Sequence, residues 1–137
     1  MDWKLELLIL PVSDVDRAKK FYTEQVGFAL DVDHRAGEDF RVVQMTPPGS
    51  ACSITIGTGL GASPPGTMHG MHLIVNDIDE ARAQLVDHGV TVDDVHHFEN
   101  GNRTAGADPE RADYGSFLSF HDPDGNTWVV QEVGHTS

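Results

Sequence analysis

The sequence predicts an α+β fold built from two copies of one unit: a strand, a helix and three further strands. Three observations lead there. VSDVDRA at 12–18 returns as VNDIDEA at 75–81, and such self-similarity marks a duplicated supersecondary unit. In each copy an apolar run, Leu7 to Val12 or His72 to Val75, reaches Asp14 or Asp77. Apolar residues then recur at helical spacing: Val15, Ala18 and Tyr22, then Ile78, Ala81 and Leu85. Each helical stretch closes on a glycine, Gly27 or Gly89, where a left-handed residue ends a helix without a Cβ clash.

Taken in order, residues 4–12 are expected as a strand, and Ser13 or Asp14 caps a helix running to about Val26 because their oxygens accept its free N–H groups. A strand follows over 28–33. FRVVQMT at 40–46 and ACSITIG at 51–57 flank the turn PPGS and read as a hairpin. TGLGASPPGTM at 58–68 has the glycine, serine and proline content of a connector. The second half repeats the order, with a strand over 70–75, a helix over 78–88 and a short strand over 91–95. SFLSFHD and TWVVQEV then flank DPDGN at 122–126, which turn chemistry explains without a calcium site. The polar stretch from Asp94 to Tyr114 has no periodicity and is expected as a long loop: a lid, a binding loop or a disordered segment.

Composition bounds the function. With 22 Asp and Glu against 9 Lys and Arg, the formal net charge is −13, which repels phosphate backbones and anionic lipid surfaces. Nucleic acid and membranes are excluded as expected partners; the same field would draw a cationic ligand, but an acidic exterior is explained first by simple solubility. A single cysteine, Cys52, forbids an internal disulfide. Nothing resembles a cleavable signal, and the apolar stretch from Leu5 to Val12 is far below the roughly 20 residues of a membrane span. A soluble cytoplasmic protein is the expectation.

VSDVDRAKKFYTEQVGF at 12–28, VNDIDEARAQLVDHGV at 75–90 and FHDPDGNTWVVQEV at 120–133 together resemble the glyoxalase, bleomycin-resistance and extradiol-dioxygenase superfamily, also called vicinal oxygen chelate proteins. The resemblance covers almost the whole chain. It implies two βαβββ modules forming a curved mixed sheet around a cleft, in one domain over 1–137 with modules at 1–58 and 68–135 and a Gly/Pro linker at 59–67. It further implies a homodimer and a small molecule bound in the cleft. The family's enzymes hold a divalent metal on cleft-facing strands, at positions the resemblance carries to Leu7, Ser53, Gly70 and Val129. None is a credible ligand, so no metal or other cofactor is expected. A one-residue slip brings in Glu6, His69, Cys52 and Trp128 or Val130, which do not make a shell either.

Residues two apart on a strand share a face. The expected ligand-binding set is therefore Leu7, Ile9, Ser53, Thr55, His72, Phe117, Ser119, Val129 and Gln131, a largely apolar surface with a few directional groups. His72 is the candidate catalytic residue, since its imidazole can act as a base near neutral pH. Cys52 is expected to face away as an inert thiol and Glu132 to be an exposed edge charge. Phe21, Tyr22 and Phe120 are expected in the core. His96 and His97, with Glu99 and Asp108 nearby, have a metal-binding composition but a poor spacing, because neighbours on an extended chain point to opposite sides. Three functions follow: a metal-free binding protein for a small organic molecule, as in the bleomycin-resistance members; a metal-dependent or His72-based lyase, isomerase or dioxygenase; and a non-catalytic interaction module whose cleft is filled by Leu5, Leu7, Ile9 and Val129.

Overall fold

A computed structural model describes residues 1–136. The chain is α+β, with two mixed sheets. The first has the order β1 (Leu7–Ile9), β4 (Ser53–Thr58), β3 (Arg41–Thr46), β2 (Ala29–Arg35); the second has β5 (Met71–Val75), β9 (Thr127–Glu132), β8 (Phe117–His121), β6 (His96–Glu99), β7 (Asn102–Ala105). In each sheet the first strand runs parallel to the last and the other pairings are antiparallel. The residues group into two compact units. Unit 1 holds Met1–Met68 with Asp122–Asn126, and unit 2 holds His69–His121 with the segment from Thr127 onward.

In unit 1 the predicted cap is Asp14, whose carboxylate accepts the Arg17 N–H at 3.0 Å. The helix α1 (Val15–Lys20) widens into a π-helical turn, Phe21–Val26, that ends on left-handed Gly27. The widened segment keeps the consecutive aromatics Phe21 and Tyr22 both buried. Tyr22 stacks on Phe28 at 5.6 Å between ring centroids, and Leu10, Ala18, Val43, Met45, Ile54 and Ile56 complete the buried apolar residues of this unit. Tyr22 is fully buried, and its hydroxyl donates to Asp122 Oδ2 at 2.8 Å. The turn DPDGN therefore does more than reverse the chain. Asp122 also accepts the backbone N–H groups of Asp124 and Asn126, and Asn126 Nδ2 reaches Pro11 O at 2.8 Å. A buried carboxylate is tolerable when its lone pairs are filled in this way.

Unit 2 uses the same start signal. Asp77 accepts the Glu80 N–H at 3.0 Å and opens α2 (Ile78–Asp87). Ile78, Leu85, Val90, Val95, Leu118, Phe120, Trp128 and Val130 form its core, with Phe120 and Trp128 stacked at 6.1 Å between ring centroids. Two expectations are corrected here. The strand expected over 91–95 is a single bridge, Val92 to Phe120. The expected long loop instead holds the hairpin β6–β7, turned on Asn100 at φ 52° and Gly101 at φ 81°, so the second module has four strands after its helix. Asn-Gly is the preferred pair where both central residues need positive φ.

Glu132 is the third correction. It is buried, with no exposed surface, rather than an edge charge. It faces the helix side of the sheet, where Oε2 accepts the Ile78 N–H at 2.8 Å and Arg111 donates from Nε at 2.8 Å and Nη2 at 2.5 Å. The Arg111 guanidinium, with help from the Ile78 N–H, holds the carboxyl below its usual range despite burial. Unit 1 has a counterpart. Arg41, 7% exposed, reaches Asp33 and Asp16 and lowers the pKa of both carboxyls. Among the described residues no helix is long and apolar enough to cross a membrane.

Candidate functional site

Each sheet has one face against its helix and one face turned away from it, and the expected binding residues fall on the second kind. In unit 1, Leu7 lies opposite Ser53 and Ile9 opposite Thr55, and Thr55 is in turn opposite Gln44 on β3. Alternation then adds Thr46 and Val42 to this face. Ser53 and Thr55 are buried, Leu7 is half-buried and Ile9 is exposed. A polar chain runs across the face. The Ser53 and Thr46 hydroxyls are 2.7 Å apart, Gln44 Nε2 donates to Ser53 Oγ at 3.3 Å, and the Thr46 hydroxyl donates to Asp31. Asp31 sits where the β2–β3 register shifts between Leu30 and Val32, a bulge of the kind that re-aims a side chain.

In unit 2, His72 lies opposite Val129 and Ile74 opposite Gln131. Phe117 lies opposite Gln131 and Ser119 opposite Val129. All five expected residues of this half therefore share one face, and β6 extends it. His96 pairs with Phe117, and alternation brings in Phe98. The three rings form a cluster: His96 on Phe117 at 5.9 Å, His96 on Phe98 at 5.8 Å and Phe98 on Phe117 at 5.7 Å. Edge-to-face and offset geometries of this kind are the favoured ones for aromatic pairs. Phe98 nevertheless remains 54% exposed and Ile74 57%.

The two histidines of the HH pair do point opposite ways. His97 lies on the helix side, with Nδ1 at 2.7 Å from Gly106 O and Nε2 at 2.9 Å from Glu99 Oε1. The Glu99 carboxylate, and then the Gly106 carbonyl, raise its pKa. His72 is exposed, and its Nδ1 lies 2.5 Å from Gly70 O. With Nδ1–H spent on that carbonyl, Nε2 is left as the basic nitrogen. Cys52 is half-buried, with Sγ 3.7 Å from Ser53 O.

Register also corrects the counterpart of Leu7. Counting from the helix motif selects Gly70, but Gly70 precedes β5, and the residue opposite Val129, as Leu7 is opposite Ser53, is His72. The connection from β1 to α1 is two residues longer than that from β5 to α2. Ile9, opposite Thr55, stands three residues before Val12, whereas Ile74, opposite Gln131, stands one before Val75. Among the described residues no group of three His, Cys, Asp or Glu side chains converges in metal-binding geometry.

Sequence reasoning passed over Asp31, Gln44, Thr46, His96 and Phe98 as members of these faces. A signal existed for most of them. FRVVQMT alternates Val42, Gln44 and Thr46 onto one side, and the Asn-Gly pair inside ENGN announces the hairpin that aligns His96 with Phe98. For Asp31 there was none, because a bulge is not written in the pattern.

A four-strand and a five-strand mixed sheet, each with one helix against one of its faces, define a class, and comparison with known proteins agrees. Residues 4–130 match the Glyoxalase/Bleomycin resistance protein/Dioxygenase superfamily, and the chain belongs to that superfamily. It is similar in structure to TnmS3, an antibiotic binding protein from Streptomyces sp. CB03234, with 31% identity, 96% of each chain covered and a TM-score of 0.73. It is also similar to a superfamily member from Sphaerobacter thermophilus, with 28% identity, 96% of this chain and 98% of that one covered and a TM-score of 0.72. The uncharacterized protein YetH of Bacillus subtilis is 26% identical over 125 residues, 88% of this chain and 91% of that protein.

Proposed function

We propose that this protein binds a small, largely apolar organic molecule with a planar aromatic part, and does so without the metal used by the superfamily's enzymes. The observation that carries the reading is the ring cluster of His96, Phe98 and Phe117, with Phe98 half exposed, on the same face as Val129, Ser119 and Gln131. A monomeric protein seldom leaves such apolar surface uncovered without a use for it. The similarity to TnmS3, an antibiotic binding protein of Streptomyces, supports the same reading.

The donor set supports the metal-free part. Of the four registered positions, Leu7 and Val129 offer no donor atom. The Ser53 hydroxyl is engaged by Thr46 and Gln44, which leaves the lone imidazole of His72. A divalent ion of this type wants at least three strong ligands. The residues do not fit it.

Thermal-shift and calorimetric screening of aromatic metabolites and basic antibiotics tests the proposal. Saturable binding weakened roughly tenfold by Phe98→Ala is expected, in line with the loss of one stacking partner. Absence of saturable binding across every class overturns it. A second reading rests on the free Nε2 of His72: a metal-free enzyme with this nitrogen as general base. Unchanged turnover in His72→Gln would remove it. The proposal includes a homodimer, because β1 and β5 are edge strands and Trp3 and Leu5 are exposed beside the first; a monomer in light scattering would contradict that part.

A further inference from the structure

We infer that the ligand face of the first sheet holds a subsite for a cationic, multi-donor group, an amidinium or protonated amine, formed by Asp31, Gln44 and Thr55. This deepens the proposed binding function and rests on it. The argument is a count of hydrogens. As a carboxylate Asp31 only accepts, so the single hydroxyl hydrogen of Thr46 goes to it. Thr46 then has only lone pairs to offer Ser53, and Ser53 must donate. Ser53 in turn receives Gln44 Nε2. Each hydroxyl hydrogen in the chain is aligned toward Asp31, and the groups left over at the other end are the amide oxygen of Gln44, an acceptor, and its second N–H.

A separate observation points to a ligand on the same face, at the Gln44 end of the chain. Thr55, opposite Gln44 in the sheet, is 4% exposed, and its Oγ1 has no hydrogen-bond partner among the described residues. Buried hydroxyls are costly to leave unpaired. A bound polar group satisfies this one, and an N–H donor is among those that can. No Lys or Arg comes from the strands on this face, since the neighbouring Arg41 is turned to the helix side by Asp16 and Asp33. The Asp31 carboxylate, with no Lys or Arg from these strands to neutralise it and with the Gln44 and Thr55 oxygens able to accept, favours N–H donors carrying positive charge and repels carboxylates. The formal net charge of −13 draws the same sign from a distance.

Benzamidinium, benzamide and benzoate share a shape and differ in charge, which makes them the probes. Binding to the full chain, followed by ligand-observed NMR and calorimetry, is expected to favour benzamidinium over benzamide by roughly tenfold, with benzoate weakest. Asp31→Asn, an exposed change that leaves the core alone, should abolish the preference. Thr55→Val should weaken benzamidinium about fivefold, as expected for one lost hydrogen bond. Equal affinities for the three probes, no binding of benzamidinium, or unchanged binding in both variants overturns the inference. In that event an uncharged polycyclic aromatic that still binds, and is weakened by Phe98→Ala, leaves the broader reading intact.

Discussion

The same Val-x-Asp-hydrophobic-Asp signal opens α1 and α2, and the same aspartate position caps both, yet the sheets behind them present different chemistry. The free face of unit 1 is a hydroxyl and amide surface, Ser53, Thr55, Gln44 and Thr46, ending in Asp31. That of unit 2 is a surface of rings and branched chains, His96, Phe98, Phe117, Ile74 and Val129. The helix sides differ as well. Arg41 in unit 1 leans on carboxylates that reach water, whereas Glu132 in unit 2 is sealed in and anchors the start of α2. Duplication has preserved what builds a unit and released what its open face touches.

The largest expected effect sharpens the contrast between the two arginine anchors. Glu132→Ala strands the Ile78 N–H and Arg111, and by the usual cost of breaking a buried pair it should destabilise by about 3 kcal/mol in urea unfolding. Arg41→Met should cost less than about half as much, because Asp16 and Asp33 can turn to solvent. Equal losses would break the comparison.

Next comes the ring face. Phe98→Ala should weaken an aromatic ligand by about 1 kcal/mol or more, and its truncation should cost the fold little because the ring is half exposed. A large fall in melting temperature would mean that Phe98 packs rather than binds. Gly101→Ala places a Cβ on a residue at φ 81° and should cost about 1 kcal/mol, with exchange of the β6–β7 amides rising before those of β8 and β9.

The smallest effect is pH dependence. Glu132 has a folded pKa below its usual 4.5, so its contribution is whole above that value and is lost as pH falls through the folded pKa. Asp16 and Asp33 give unit 1 an acid limb of the same sign. His97 runs the other way. Both ring nitrogens face acceptors, which only the imidazolium can serve. Its folded pKa lies above 6.5, so this contribution is whole below 6.5 and fades as pH rises through the folded value. Unit 2 should thus lose a little stability as pH rises above 6.5 that His97→Gln does not, as measured by denaturant midpoints. Parallel curves for the two proteins would dismiss the alkaline limb.

Much of the fold was legible. Capping aspartates, helix periodicity, terminal glycines and alternating strands are local signals, and each placed its element within a few residues, except for the strand expected over 91–95, which is a single bridge. The residues expected on the two faces, from Leu7 and Ile9 to Val129 and Gln131, do share those faces because alternation along a strand is also local. What escaped were the places where a distant partner decides. Glu132 looks like a charge at a strand end until Arg111 folds over it. Gly70 seems to stand where Leu7 does until pairing with β9 shows a connection two residues shorter. Asp122 and Asn126 read as a turn, and their bonds to Tyr22 and Pro11 span about a hundred residues. The β6–β7 hairpin is the exception, since its Asn-Gly signal was local and was outweighed by the polarity around it.

By itself, then, the amino-acid order determined the duplicated strand-helix-strand scheme and which residues of each strand share a face, since dihedral preference and side-chain alternation act between near neighbours. Tertiary structure alone decided the register between β5 and β9, the direction of the hydroxyl chain that ends at Asp31, and the meeting of His96, Phe98 and Phe117. Those depend on which strands lie side by side, and strand pairing is settled by burial and hydrogen bonding across residues far apart in the chain.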